Sequence, residues 1–152
     1  EALQGLSISC SRLGDISLDE GKTAEAEELY LEDLRLSRRL AERMPSVTNQ
    51  RNLALSCSRL GGLYHERQDL ERARECYRHS AELYRQAAGQ LDVPELWHQL
   101  ASEYYNLGLV SAGGERETCA MQAYGIWQRL LRADPDNGEY LKGRDLVLSA
   151  LL

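Results

Sequence analysis

Proline is scarce in this chain: among 152 residues only Pro45, Pro94 and Pro135 occur. Long helices are therefore permitted almost everywhere else. No apolar run approaches the ~20 residues that a membrane helix needs. No basic, apolar leader opens the sequence. The first residue is Glu1 rather than Met, so the expectation is a piece of a longer array. Basic charge is also short. The 18 Lys and Arg are outnumbered by 24 Asp and Glu, for a net charge of −6. A nucleic-acid backbone prefers a basic partner, so that class is disfavoured. The least acidic stretch is residues 48–94, which hold seven arginines against six acids.

The four cysteines, Cys10, Cys57, Cys76 and Cys119, form no C-x-x-C pair. With His65, His79 and His98 they give no zinc spacing, so no metal is expected. Disulfide frameworks belong to shorter secreted chains. These cysteines read as reduced core fillers of a cytoplasmic protein. No H-E-x-x-H, G-x-S-x-G or phosphate loop is present, and the histidines fall on three different helices. The expectation is a chain that is not an enzyme and takes no cofactor. No segment alternates with period two, which excludes strands and leaves an all-α class.

What the sequence does have is repetition. SCSRLG occurs at 9–14 and again at 56–61, 47 residues apart. At that spacing Gly14, Gly61 and Gly108 align, each preceded by leucine. So do Ala26, Ala73 and Ala120, then Tyr30, Tyr77 and Tyr124. RDLVLSALL at 144–152 resembles RNLALSCSR at 51–59, an offset of 93 that makes the third unit one residue shorter. One repeat domain over 1–152 follows, with units of about 1–47, 48–94, 95–140 and a partial 141–152.

Each unit reads as two helices. The first carries a stripe such as Leu3, Leu6, Cys10, Leu13 or Leu53, Cys57, Leu60, Tyr64. Turn signals follow at 19–22, Gln68-Asp69 and Gly113-Gly114. Thr23 and Asp69 are set to cap the second helices, and Asp92 with Glu95 resembles a capping box. Glycine within a helix costs about 1 kcal/mol relative to alanine. Gly14, Gly61 and Gly108 are therefore expected to permit a close crossing, with the aligned alanines as small partners and the tyrosines filling the space between units. Glu71-Arg74 and Glu75-Arg78 are expected to pair on the surface. Trp97 and Trp127 are expected at unit interfaces.

Leu-Gly, alanine twelve residues later and an aromatic four beyond that resemble the tetratricopeptide repeat. The unit is longer than the family's usual 34, in the manner of long-unit bacterial arrays with loops like Ala133-Asp134-Pro135-Asp136-Asn137. That resemblance implies an α-solenoid, a right-handed superhelix of antiparallel helix pairs, in three 47-residue units plus a partial fourth helix. It implies a non-catalytic scaffold that binds a protein or peptide in its concave groove. The alternatives are a peptide-sensing domain of a larger regulator, or a self-assembling module joined through the terminal helix with Leu146, Leu148, Leu151 and Leu152.

Groove-facing positions are then Ser11, Arg12 and Asp15, with Ile8 nearby, in the first unit. They are Ser58, Arg59, Gly62 and His65, with Leu55, in the second. They are Ser102, Tyr105 and Asn106, with Leu109, in the third. Arg12, Arg59 and Asn106 would form a ladder of donors for an extended chain. The competing expectation is that the arginines pair with Asp15, Asp19 and Glu66. A clamp for a terminal carboxylate of the kind found in chaperone-binding relatives would need Ser11, Asp15, Arg59, Ser102 and Asn106. Asp15 would repel such a ligand.

Overall fold

The computed structural model describes residues Glu1–Leu152. Seven helices follow in order: α1 Ala2–Asp19, α2 Thr23–Arg43, α3 Val47–Glu66, α4 Leu70–Gln90, α5 Pro94–Val110, α6 Gly113–Ala133 and α7 Gly138–Ala150. No strand occurs. Each helix packs chiefly on its neighbours in sequence, as in a helical-repeat solenoid. No helix is long and apolar enough to cross a membrane.

Local chemistry sets the boundaries. Ser46 accepts the Asn49 N–H at 3.0 Å and opens α3. Asp69 accepts from Arg72 and opens α4. Asn137 accepts the N–H groups of Glu139 and Tyr140 and opens α7. Two expected caps fail. Thr23 is already helical behind Lys22. Val93 is the N-cap of α5, and Asp92 instead accepts the Trp97 indole N–H at 2.6 Å. Gly113-Gly114 lie inside the first turn of α6, and the turn itself is Ser111-Ala112.

The glycines sit where the helices of a pair meet. A Cβ on Gly14 would lie 2.6 Å from the Tyr30 ring, and one on Gly61 2.8 Å from the Tyr77 ring. The intimate partner is thus the tyrosine rather than the alanine four residues before it, though Ala26 and Ala73 are fully buried beside it. Tyr30 and Tyr77 join Leu60, Leu63, Leu107 and Val110 in one core that runs across unit boundaries.

The third pair departs from the 47-residue register. Helix α5 ends two residues past Gly108, whereas α3 runs five past Gly61. Helix α6 then begins 43 residues after α4. At that offset buried positions coincide: Tyr77 with Ala120, Ser80 with Ala123, Tyr84 with Trp127, Ala88 with Leu131. Ala120 therefore occupies the place of Tyr77, and Leu151, the C-cap of α7, fills the space against Gly108. Helix α7 begins 44 residues after α5, against 47 from the start of α3 to that of α5.

Expected stripes and pairs also need correction. On α1 the buried residues are Ser7, Ser11, Gly14 and Ser17, while Leu6 and Leu13 are exposed. Arg74 and Arg78 do not pair within α4. Arg74 donates to the Val110 carbonyl, and Arg78 forms a bidentate pair with Glu115 of α6. Both therefore tie α4 to the next pair.

Candidate functional site

The site begins with a polar floor. Asp33, on the buried stripe of α2, is 2 % exposed. A buried carboxylate is tolerated only when donors surround it. Here Ser7 of α1 donates to Oδ1 at 2.5 Å, Ser37 to Oδ1 at 3.4 Å and Ser56 of α3 to Oδ2 at 2.8 Å. Arg59 adds a guanidinium nitrogen 3.5 Å from Oδ2. The charge is thus met by three hydroxyls and one cation.

Over this floor lies a cleft of about 300 Å³ between α1 and α3. Gln4, Ile8 and Ser11 form one wall; Thr48, Asn52, Leu55 and Arg59 form the other. A second cleft, about 240 Å³, lies between α5 and α7. Its floor is Trp127, whose indole N–H donates to His98 Nδ1 at 3.0 Å. Nδ1 is thereby the acceptor, which leaves Nε2 to carry the proton toward Glu139, 3.6 Å away. Ser102, Tyr105, Asn106 and Lys142 line its walls.

Between α3 and α5 the corresponding space is closed. Ser58 donates to Glu103 Oε1 at 2.8 Å, and Arg51 pairs with Glu95 at 2.7 Å. Glu103 is 6 % exposed and its Oε2 has no partner. Burial pushes its carboxyl up to about 7, with the Ser58 hydroxyl opposing.

The structure therefore distributes the ten expected groove residues. Ser11 and Arg59 share the first cleft. Ser102, Tyr105 and Asn106 share the second. Ser58 belongs to the closure between them. Arg12, Asp15, Gly62 and His65 line neither cleft. Asp15 accepts the Tyr30 hydroxyl at 2.6 Å. Arg59 lines the first cleft and Asn106 the second, and Arg59 pairs with Asp33 rather than Glu66. Sequence reasoning missed Asp33, Ser7, Ser37 and Ser56. The available signal was an acid on the tyrosine stripe of α2, three residues after Tyr30.

The cysteines stay outside both clefts. Burial raises the Cys57 thiol to about 12 and the Cys76 and Cys119 thiols to about 11, which disfavours thiolate chemistry. The Trp97 ring lies under the Arg129 guanidinium at 4.2 Å.

Residues 54–86, comprising most of α3 and α4, match the family described as tetratricopeptide repeat. No curated protein matches the chain.

Proposed function

We infer, for a chain that belongs to the tetratricopeptide repeat family and so reads as a protein-interaction scaffold, that it holds an extended segment of a partner protein in the cleft between α1 and α3. The observation that supports this most is unspent hydrogen-bonding capacity. The side chains of Gln4, Thr48 and Asn52 line that cleft and make no hydrogen bond within the protein. Carboxamides facing each other across a cleft match the N–H and C=O groups of an extended main chain. Ile8 and Leu55 supply apolar contacts beside them. The Asp33 carboxylate is already satisfied, so the cleft suits an uncharged backbone better than a free cation or anion. The second cleft, with Tyr105 and Asn106, takes a separate part of the ligand. The activity is binding, with no bond made or broken.

Peptides selected from a random library on the whole chain provide the test. Binding of the selected peptides to Asn52→Ala should weaken at least tenfold, the cost of about one well-made hydrogen-bond pair left unmet. Arg12→Ala, on α1 but outside the cleft, should bind as the parent does. Equal affinity for Asn52→Ala and the parent would refute the cleft.

A further inference from the structure

Helix α6 carries one glycine that no close contact explains. Gly125 lies well inside the helix, where glycine costs about 1 kcal/mol relative to alanine. Gly14, Gly61, Gly108 and Gly143 each face a side chain that a Cβ would strike, whereas a Cβ on Gly125 would meet nothing within 4 Å. The space over Gly125 belongs to a groove of about 330 Å³ between α4 and α6. Its floor is Trp97, Leu100 and Tyr104 of α5, and its walls include Arg85, Ile126 and Arg129. Two cations and no acid line it, in a chain of net charge −6. Arg85 is held by Glu82 of its own helix. Arg129 has no acidic partner; its guanidinium lies over the Trp97 ring, 4.2 Å from the centroid, a stacking that leaves its in-plane N–H groups free. One period earlier, between α2 and α4, Gln50 and Leu53 stand where Trp97 and Leu100 do. No charged side chain lines that furrow, and Gln50 donates to Gln86 at 2.8 Å. The aromatic floor and the free cation therefore distinguish the groove between α4 and α6 from its counterpart. Each of α4, α5 and α6 already packs on both of its sequence neighbours, so no missing neighbour in the stack explains the opening.

We propose that this groove docks an acidic segment of a partner protein, which seats one large apolar side chain over Leu100 and Tyr104 and a carboxylate on Arg129. The room above Gly125 admits the apolar side chain. Met121, 70 % exposed at the rim, adds an adaptable contact to it. The planar fork of Arg129 matches a carboxylate bidentately. The Tyr104 hydroxyl and the Gln122 amide make no hydrogen bond within the protein and are left for the main chain of the segment. One free cation suits a single carboxylate, and the net charge of −6 repels a polyanion such as nucleic acid. Arg85, Met121, Gln122, Gly125 and Arg129 are all exposed along the rim, so a small molecule would stay partly in water, whereas a protein segment brings its own cover. The groove is separate from the cleft between α1 and α3 and does not depend on it.

The test pans a random-peptide library on the whole chain and counter-selects on the chain carrying Arg129→Glu. The enriched peptides should combine Asp or Glu with Leu, Phe or Met. They should move the Trp97 indole N–H resonance more than that of Trp127. Arg129→Glu should weaken their binding more than tenfold, the loss of a charged, bidentate hydrogen bond. Gly125→Leu fills the groove and removes no charge, and it should weaken them as much. Both positions are exposed, so neither variant should melt more than a few degrees below the parent. Asn52→Ala should bind these peptides as the parent does, which separates this groove from the cleft between α1 and α3. No enriched peptide, or enrichment without acidic residues, would overturn the proposal. So would equal affinity for Gly125→Leu and the parent. A dimer in light scattering that Arg129→Glu abolishes would overturn it as well, because a second copy would then occupy the groove.

Discussion

At the scale of single residues, burial decides which side chains have chemical consequences. Asp33 and Glu103 are both buried acids, yet their settings differ. Asp33 draws donors from three helices, whereas Glu103 accepts from Ser58 with the Ser80 hydroxyl nearby and keeps an oxygen without a geometric partner. The folded Glu103 therefore holds its proton to about 7, while the unfolded chain releases it near the ordinary carboxylate value. The folded state binds the extra proton, so this contribution to stability is fully present below about 4.5 and is lost as pH rises to about 7. Glu103→Gln keeps the shape and removes the charge. It should raise the melting temperature at pH 8, leave it near the parent's at pH 4, and flatten the decline between. The gain at pH 8 is on the order of 3 kcal/mol at most, by the conversion of pKa shift to free energy. Thermal melts across that range check it, and parallel curves for parent and variant would refute it.

At the scale of elements, helix crossing rests on single missing side chains. Gly61 faces the buried Tyr77 ring, where a Cβ would intrude at 2.8 Å. Gly62, its neighbour, has only the Tyr77 hydroxyl at 3.8 Å. Alanine is favoured over glycine in a helix by about 1 kcal/mol, so propensity alone would make both substitutions stabilising. Sterics should reverse the sign at one of them. Gly61→Ala is expected to lower the melting temperature by several degrees, and Gly62→Ala to leave it unchanged or raise it by a few degrees, as about 1 kcal/mol does in a chain of this size. Equal shifts for the pair would mean that the ring can move aside freely. The same element scale shows what the sequence hid. A four-residue loss at the tip of the third pair advances a helix by about 400°, so its apolar stripe turns by only about 40°. Ala120 and Tyr124 thus kept an apparent match to Ala73 and Tyr77 while the packing had moved one turn. The burial of Ala123, Trp127 and Leu131, with Trp127 packed between α5 and α7, reveals the true register.

At the scale of the molecule, each helix pair leans on its neighbours and on nothing distant. Stability in such a stack is local and weakest at the ends. Helix α7 is the shortest, at 13 residues, and packs mainly on α6. Its amides should exchange with deuterium at least about a hundredfold faster than those of α3 and α4, which have neighbours on both sides. Uniform protection through the chain would show a single cooperative unit instead. The same geometry separates two clefts, one at each end of the stack, with the Ser58–Glu103 and Arg51–Glu95 contacts between them.

The sequence by itself determined the helical class, the pairing of helices and the family resemblance. Those depend on periodic spacing and on glycines whose lack of a side chain leaves a local mark. Tertiary structure alone decided which polar residues meet. Ser7, Asp33 and Ser56 are 26 and 23 residues apart along the chain, and no local pattern links them. It also decided that the Arg129 guanidinium lies over the Trp97 ring, because the packing of α6 on α5 brings together residues that are far apart in the chain.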